Sequence, residues 1–183
     1  MGERYEIRLA GAGGQGMILA GLILAEAAAI YDGKNASQSQ SYGAEARGGA
    51  SRAEVIISDS EIVYPKVTNA DLLLCMSQEA CDRYSHELKE DGVLIVDSVN
   101  VERVPTGRAY QVPITQIAEE ATGRRITANM VGLGLVVGLT GVVSKESIQT
   151  AVSARAPKGT EEMNLKALAA GLEKAEELKI ARG

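Results

Sequence analysis

Two glycine-rich polar blocks hold the groups most able to do chemistry in this chain. The first, Gly11-Ala12-Gly13-Gly14-Gln15-Gly16, follows a strand-like stretch and opens a helix. That order aims free backbone N–H groups and the positive end of a helix at an anion such as phosphate. Gln15, within the turn, adds an amide that is both donor and acceptor. The second block, Gln40-Ser41-Tyr42-Gly43-Ala44-Glu45-Ala46-Arg47-Gly48-Gly49-Ala50-Ser51, begins about thirty residues further on. In it Ser41, Tyr42, Glu45 and Arg47 are interleaved with glycines that permit close backbone approach. Arg47 is the fork best suited to a phosphate or a carboxylate. Taken alone, these residues also fit plainer roles, with the glycines serving only helix–strand packing and Glu45 and Arg47 forming a solvated pair.

The spacing of Gly11, Gly13 and Gly16 matches G-x-G-x-x-G, and its context of strand and helix strengthens a weak motif. A dinucleotide site also places Asp or Glu about 20 residues on, at the end of the second strand. Here that strand ends in Ser39-Gln40-Ser41, and Asp32 falls in the turn that closes the helix. Nicotinamide or flavin redox chemistry is therefore disfavoured. His86 is the only histidine and lies between Ser85 and Glu87 with no nucleophile pattern around it, so it reads as a surface residue. Cys75 and Cys81 are six apart, which matches neither a zinc pair nor iron–sulfur spacing, and both read as reduced and structural.

The elements that must position the two blocks follow from periodicity. Residues 4–10 alternate as a strand, Met17 to Tyr31 as a helix stopped by Asp32-Gly33, and Asn35 to Gln40 as a second strand. If the helix crosses over in the usual sense, both blocks emerge at the carboxyl edge of one sheet. Residues 52–58 and 62–64, joined by Asp59-Ser60-Glu61, predict an antiparallel hairpin, and so a mixed sheet. Asp71 to Met76 and Val93 to Asp97 read as buried strands, joined by a helix capped at Ser77, with Glu79 in its first turn, running to about Glu90 and ended by Asp91-Gly92. Helices are expected over Ile114 to Ala121, Asn129 to Val143, Ser144 to Ala154 with Ser144 as cap, and Thr160 to Ile180. Gly134 and Gly138 have the spacing that lets another element approach closely, either inside the domain or at a subunit contact. The reading is α/β: one three-layer Rossmann-like domain with a mixed, mostly parallel sheet and a helical C-terminal third.

Composition narrows the partners. The chain has 183 residues, enough to bury about 70% of its unfolded surface in one core. Its net charge of −5 opposes sequence-independent nucleic-acid binding, and with no Trp, no Phe and six Tyr it has few stacking platforms. The apolar run Met130 to Val143 is fourteen residues, short of the about 20 a membrane span needs. Glu3, Arg4, Glu6 and Arg8 interrupt any signal-like start, so a cytoplasmic protein is expected.

The pairing of Gly-Ala-Gly-Gly-Gln-Gly at 11–16 with Gln-Ser-Tyr-Gly-Ala-Glu-Ala-Arg-Gly-Gly-Ala-Ser at 40–51 resembles the gamma subunit of 2-oxoacid:ferredoxin oxidoreductases. The resemblance covers nearly the whole chain, so residues 1–183 are expected to form one gamma-type domain. It extends less specifically to Asn129-Met130 with Gly132 and Gly134, and to Asn164-Leu165-Lys166-Ala167-Leu168 with Gly171. It is more similar to the 2-oxoglutarate type than to the pyruvate type. The resemblance implies a complex that oxidatively decarboxylates a 2-oxoacid, reduces ferredoxin and forms an acyl-coenzyme A. It places thiamine diphosphate and iron–sulfur clusters in partner subunits (alpha, beta and, in some complexes, delta). For this chain it implies a structural and coenzyme A-positioning role, in which Gly11, Gly13, Gly14, Gln15 and Gly16 form the anion-facing turn, Ser41, Tyr42, Glu45 and Arg47 the adjoining loop, and Asn129 a further contact. A free-standing nucleotide-binding module and a scaffold that binds no small molecule stay open as alternatives.

Overall fold

The computed structural model describes residues 4–41, 50–105 and 107–183. Six strands form one sheet: β1 (Arg4–Ala12), β2 (Asn35–Ser41), β3 (Ala50–Ser58), β4 (Ala70–Cys75), β5 (Leu88–Asp97) and β6 (Tyr110–Val112), in the order β2-β3-β1-β4-β5-β6. β3 alone runs against the others, antiparallel to both β1 and β2, while β1, β4, β5 and β6 pair in parallel. The helices are α1 (Met17–Glu26), α2 (Gln78–Tyr84), α3 (Ile114–Thr122), α4 (Ala128–Thr140), α5 (Lys145–Arg155) and α6 (Glu161–Arg182). The expected mixed sheet and helical C-terminal third are both present.

Period-two alternation divides the strands between two cores. Ile7, Leu9, Ala53, Val55, Ile57, Leu72, Leu74 and Ile95 face a large core shared with α1, α3, α4, α5 and α6. Ala10, Leu73, Cys75, Leu94 and Val96 face a smaller one closed by Ala80, Cys81 and Tyr84 of α2. Cys75 and Cys81 are both buried and free, and the Cys75 thiol is raised well above its usual range by its bond to Cys81 and by burial. Their structural role holds. Arg8, 2% exposed, points to the α2 side, where Glu54 sits opposite it in the β1–β3 register and accepts from its Nη2 at 3.1 Å. Glu87 and the Val67 carbonyl complete the guanidinium's partners. A buried charge is tolerable only when matched in this way.

The helices end where side chains dictate. Ser77 accepts from the Ala80 N–H at 3.2 Å and Ser144 from the Ser147 N–H at 3.1 Å, so both predicted caps are in place. α1 passes into a π-helical turn over Ala27–Tyr31. Asp32, just beyond, accepts from the Ser144 N–H (2.8 Å), the Ser144 Oγ (2.9 Å) and the Ser147 Oγ, pinning α1 to the start of α5. Gly134, Gly138 and Gly171 let α4 and α6 touch: a Cβ on Gly134 would stand 2.8 Å from the Leu172 nitrogen and 2.9 Å from the Gly171 Cα. The spaced glycines thus serve packing within the chain.

Three expectations need correction. Residues 62–64 form no strand, because β3 already has β1 and β2 on its two sides; Val63 and Tyr64 are exposed and Pro65 has no N–H to give. The helix after Ser77 ends at Tyr84 rather than near Glu90, since a short 3-10 turn over Ser85–Glu87 directs Glu87 to Arg8 and Leu88 into the apolar clusters. Asp91-Gly92 then falls inside β5, where the pairing jumps from Ala70↔Leu88 to Leu72↔Val93. β6, three residues before Pro113, was not anticipated. His86 is exposed, as expected.

Candidate functional site

The carboxyl ends of β1, β4 and β5 meet at one rim, and a tight turn leaves it. Gln15 donates its N–H to the Ala12 carbonyl at 3.2 Å, closing a four-residue turn whose third residue, Gly14, has φ of +85°. Only glycine takes that conformation without strain. Gly16 follows at φ +76° and begins α1. Gln15 also folds back: its Oε1 accepts from the Ala12 N–H at 2.6 Å, and its Nε2 donates to the Met76 carbonyl at 3.0 Å. A Cβ on Gly11 would lie 2.5 Å from that Oε1, which accounts for the glycine there.

A chain of hydrogen bonds carries the rim onward from Met76. Asn100, just past β5, donates its Nδ2 to the same Met76 carbonyl at 3.3 Å and to Asp97 Oδ2 at 3.0 Å. Asp97, fully buried, also accepts from the Val99 N–H (3.1 Å), the Thr115 N–H (3.4 Å) and the Thr115 hydroxyl. The ends of three strands and the start of α3 are thereby locked together. On the far side Asn129, 7% exposed on α4, donates to the Gly16 carbonyl at 3.3 Å.

These parts enclose a cleft of about 270 Å³ lined by Gly14, Gln15, Met76, Asn100, Thr115, Arg125, Ile126 and Ala128. Two helices begin at it, α1 after Gly16 and α4 at Ala128, and neither has a side-chain cap or an acidic residue in its first turn. The first N–H groups of α1 turn toward this space, whereas in α4 the Ala128 N–H bonds the Arg125 carbonyl and the Met130 N–H the Asn129 Oδ1 at 2.9 Å; both dipoles point their positive ends the same way. Arg125 adds a full charge at the mouth, its Nε 2.9 Å from Glu119. The cleft's volume falls below the about 300–1,000 Å³ of a drug-sized ligand, so it suits a phosphate or carboxylate end rather than a whole cofactor.

The predicted residues separate clearly. Gly14 and Gln15 line the cleft, while Gly11, Gly16 and Asn129 shape its wall through the contacts above. Gly13 is exposed on the lip, and a Cβ there would meet nothing within 4 Å. The amides of Gln15 and Asn129 are engaged inside the chain. Ser41 ends β2 opposite Arg52, so β3 lies between it and β1, about 10 Å away at ordinary strand spacing. Tyr42, Glu45 and Arg47 lie outside the described residues. The ends of their block do reach the rim: Gly11 pairs with Ser51 and Ala12 with Ala50, and the Ser51 hydroxyl donates to the Gly11 carbonyl at 3.4 Å. Asp32 is far from this edge in role, bound to Ser144 and Ser147.

Asn100, Thr115 and Arg125 escaped the sequence reading. A signal existed for two of them, in the polar Asp97-Ser98-Val99-Asn100 after an apolar strand and in Arg124-Arg125 just before the apolar α4.

Comparison with known proteins bears on this site. Residues 6–174 match the family described as pyruvate ferredoxin/flavodoxin oxidoreductase. The 2-oxoglutarate synthase subunit KorC of Methanocaldococcus jannaschii is 52% identical over 179 residues, 96% of each chain. KorC of Methanothermobacter thermautotrophicus is 50% identical over 178 residues, 93% of this chain and 94% of its own. The crystal structure of a keto/oxoacid ferredoxin oxidoreductase gamma subunit from Geobacter sulfurreducens superposes with a TM-score of 0.88 at 54% identity, covering 96% of this chain and 98% of that one.

Proposed function

Since this chain belongs to the pyruvate ferredoxin/flavodoxin oxidoreductase family, we propose that it works as the gamma subunit of a 2-oxoacid:ferredoxin oxidoreductase, of the 2-oxoglutarate type. The observation that carries this is half identity over nearly the full length of two 2-oxoglutarate synthase subunits. The complex oxidatively decarboxylates its 2-oxoacid, reduces ferredoxin and releases an acyl-coenzyme A, and residues 1–183 contribute one domain to it. Among the described residues no helix is long and apolar enough to cross a membrane, in keeping with a cytoplasmic complex.

Within that complex, we assign to the rim the positioning of coenzyme A through one of its anionic groups. Gly13 and Gly14 leave backbone approach open, the first turn of α1 offers N–H groups, the dipole of α4 adds its positive end, and Arg125 supplies charge. Arg47 and Glu45, in the block leaving the same rim, are assigned to the adjoining loop. The chain's own donors do not fit an iron–sulfur cluster, which takes four ligands of the thiolate kind, because Cys75 and Cys81 are both spent in the core. Clusters and thiamine diphosphate are therefore assigned to sibling subunits. A scaffold role without ligand is the competing reading, favoured by the internal bonding of Gln15 and Asn129.

Native mass spectrometry of the tagged chain recovered from its own cells tests the subunit assignment. A hetero-oligomer that reduces ferredoxin when given 2-oxoglutarate and coenzyme A is expected. Recovery only as a monomer or homodimer would overturn it.

A further inference from the structure

The two edges of the sheet are built differently. β6 is three residues long, is followed at once by Pro113, and is overhung by Arg182 of α6. The Arg182 guanidinium donates to the Arg108 and Ala109 carbonyls at 3.2 Å each and lies 3.6 Å from the centre of the Tyr110 ring. Shortness, proline and a covering cation are the devices that keep a sheet edge from pairing with another chain. Among the described residues β2 has none of them. Its seven residues, Asn-Ala-Ser-Gln-Ser-Gln-Ser, include no charge, proline or glycine, and it keeps an unbroken register with β3 from Asn35↔Ser58 to Ser41↔Arg52. Every second residue therefore turns its N–H and C=O away from β3 in a straight row.

Exposed apolar side chains flank the β2–β3 pair along the chain. Ile30 (65% exposed) and Tyr31 precede β2, Val63 (86%) and Tyr64 follow β3, and the Asn35 Nδ2 to Asp59 carbonyl bond of 3.5 Å joins the two segments. Resting on the reading that the chain works inside a multi-subunit complex, we propose that β2 is paired by an extended, uncharged segment of a sibling subunit, which adds one strand to the sheet. Serine and glutamine across a strand pair hydrogen-bond best to other small polar side chains, and neither attracts a charged partner. A second copy of this chain is the weaker occupant on area. Seven residues at about 3.4 Å each and a sheet about 10 Å thick offer roughly 240 Å² a side, against about 800 Å² per partner for a stable dimer. A sibling docked at the carboxyl rim has the remaining area available, because β2 reaches that rim at Ser41.

Hydrogen exchange of the full chain, alone and in the complex assembled with its siblings, reads the pairing directly. Exchange over residues 35–41 is expected to slow by about tenfold or more on assembly. Ser37→Pro and Gln38→Pro separate pairing from simple coverage, because adjacent N–H groups point to opposite sides. One variant strikes the β3 ladder and lowers Tm; the other leaves Tm in place and weakens sibling binding by about tenfold. Unchanged exchange over 35–41 in a complex that does assemble would overturn the edge pairing and leave the subunit reading standing. Failure of the wild-type chain to assemble would overturn both. Slowing in the chain alone as its concentration rises would give the edge to a second copy and overturn the sibling occupant.

Discussion

At the scale of single residues, the rim depends on amides that hold the backbone in place. Gln15 satisfies the Ala12 N–H and caps the Met76 carbonyl, two half-buried groups that water reaches poorly. Gln15→Ala is expected to cost about 1–3 kcal/mol in urea unfolding, the usual penalty for stranding the Ala12 N–H, while the Met76 carbonyl keeps its bond from Asn100. A loss within error would show that water replaces the amide. Asp32 makes a separate prediction. Burial pushes its carboxyl upward, but the hydrogen bonds from Ser147 and Ser144 and the charge of Lys34 outweigh that and hold it below its ordinary value. Between the lowered folded pKa and the unfolded value of about 3.9 the unfolded chain binds more protons, so stability falls as pH drops through that window and is fully present above it. Asp32→Asn is expected to flatten the stability profile below about pH 4 and to leave its shape near neutrality unchanged. An unaltered acid limb in Tm measurements would contradict this.

At the scale of elements, α4 and α6 are joined through glycine. A Cβ on Gly171 would press on the Val131 carbonyl and stand 3.0 Å from the Gly134 Cα, and backbone cannot swing aside as a side chain can. Gly171→Ala is expected to destabilise by about 1–3 kcal/mol, a fall of some 2–4 °C in Tm per kcal/mol for a chain of this size. A variant as stable as wild type would mean that the helices separate freely. Elements with strong local signals were legible: the caps at Ser77 and Ser144, the strand that runs into the first glycine block, and the apolar α4. Those decided by distant partners were not. Residues 62–64, Ile-Val-Tyr, are all strand formers, yet β3 has no free side for them. Lys89 to Asp91 look helical in a polar stretch, yet the burial of Leu88 and the pairing of Glu87 with Arg8 turn the chain into β5. β6 is too short for any alternation to show.

At the scale of the whole molecule, the end of the second glycine-rich block meets the first, because β3 begins at Ala50 and Ser51 directly alongside Ala12 and Gly11 of β1. That the first block would open at the carboxyl rim was readable from the order of strand, turn and helix; that β3 would lie between β2 and β1 was not. The membership of the cleft was not, since Asn100, Thr115 and Arg125 arrive from three later segments that only the sheet order brings to Gly14 and Gln15. The role proposed for this rim is to receive an anionic group of coenzyme A in the assembled enzyme. Gly13 tests it, because a side chain there meets no protein atom within 4 Å and stands beside Gly14 of the cleft. The measurement is steady-state reduction of ferredoxin by the complex carrying Gly13→Val, with coenzyme A and 2-oxoglutarate varied in turn. The account predicts an unchanged Tm, an unchanged KM for 2-oxoglutarate and a KM for coenzyme A raised about tenfold or more, the effect of losing roughly 1.4 kcal/mol of binding. A complex with wild-type KM for coenzyme A would contradict it.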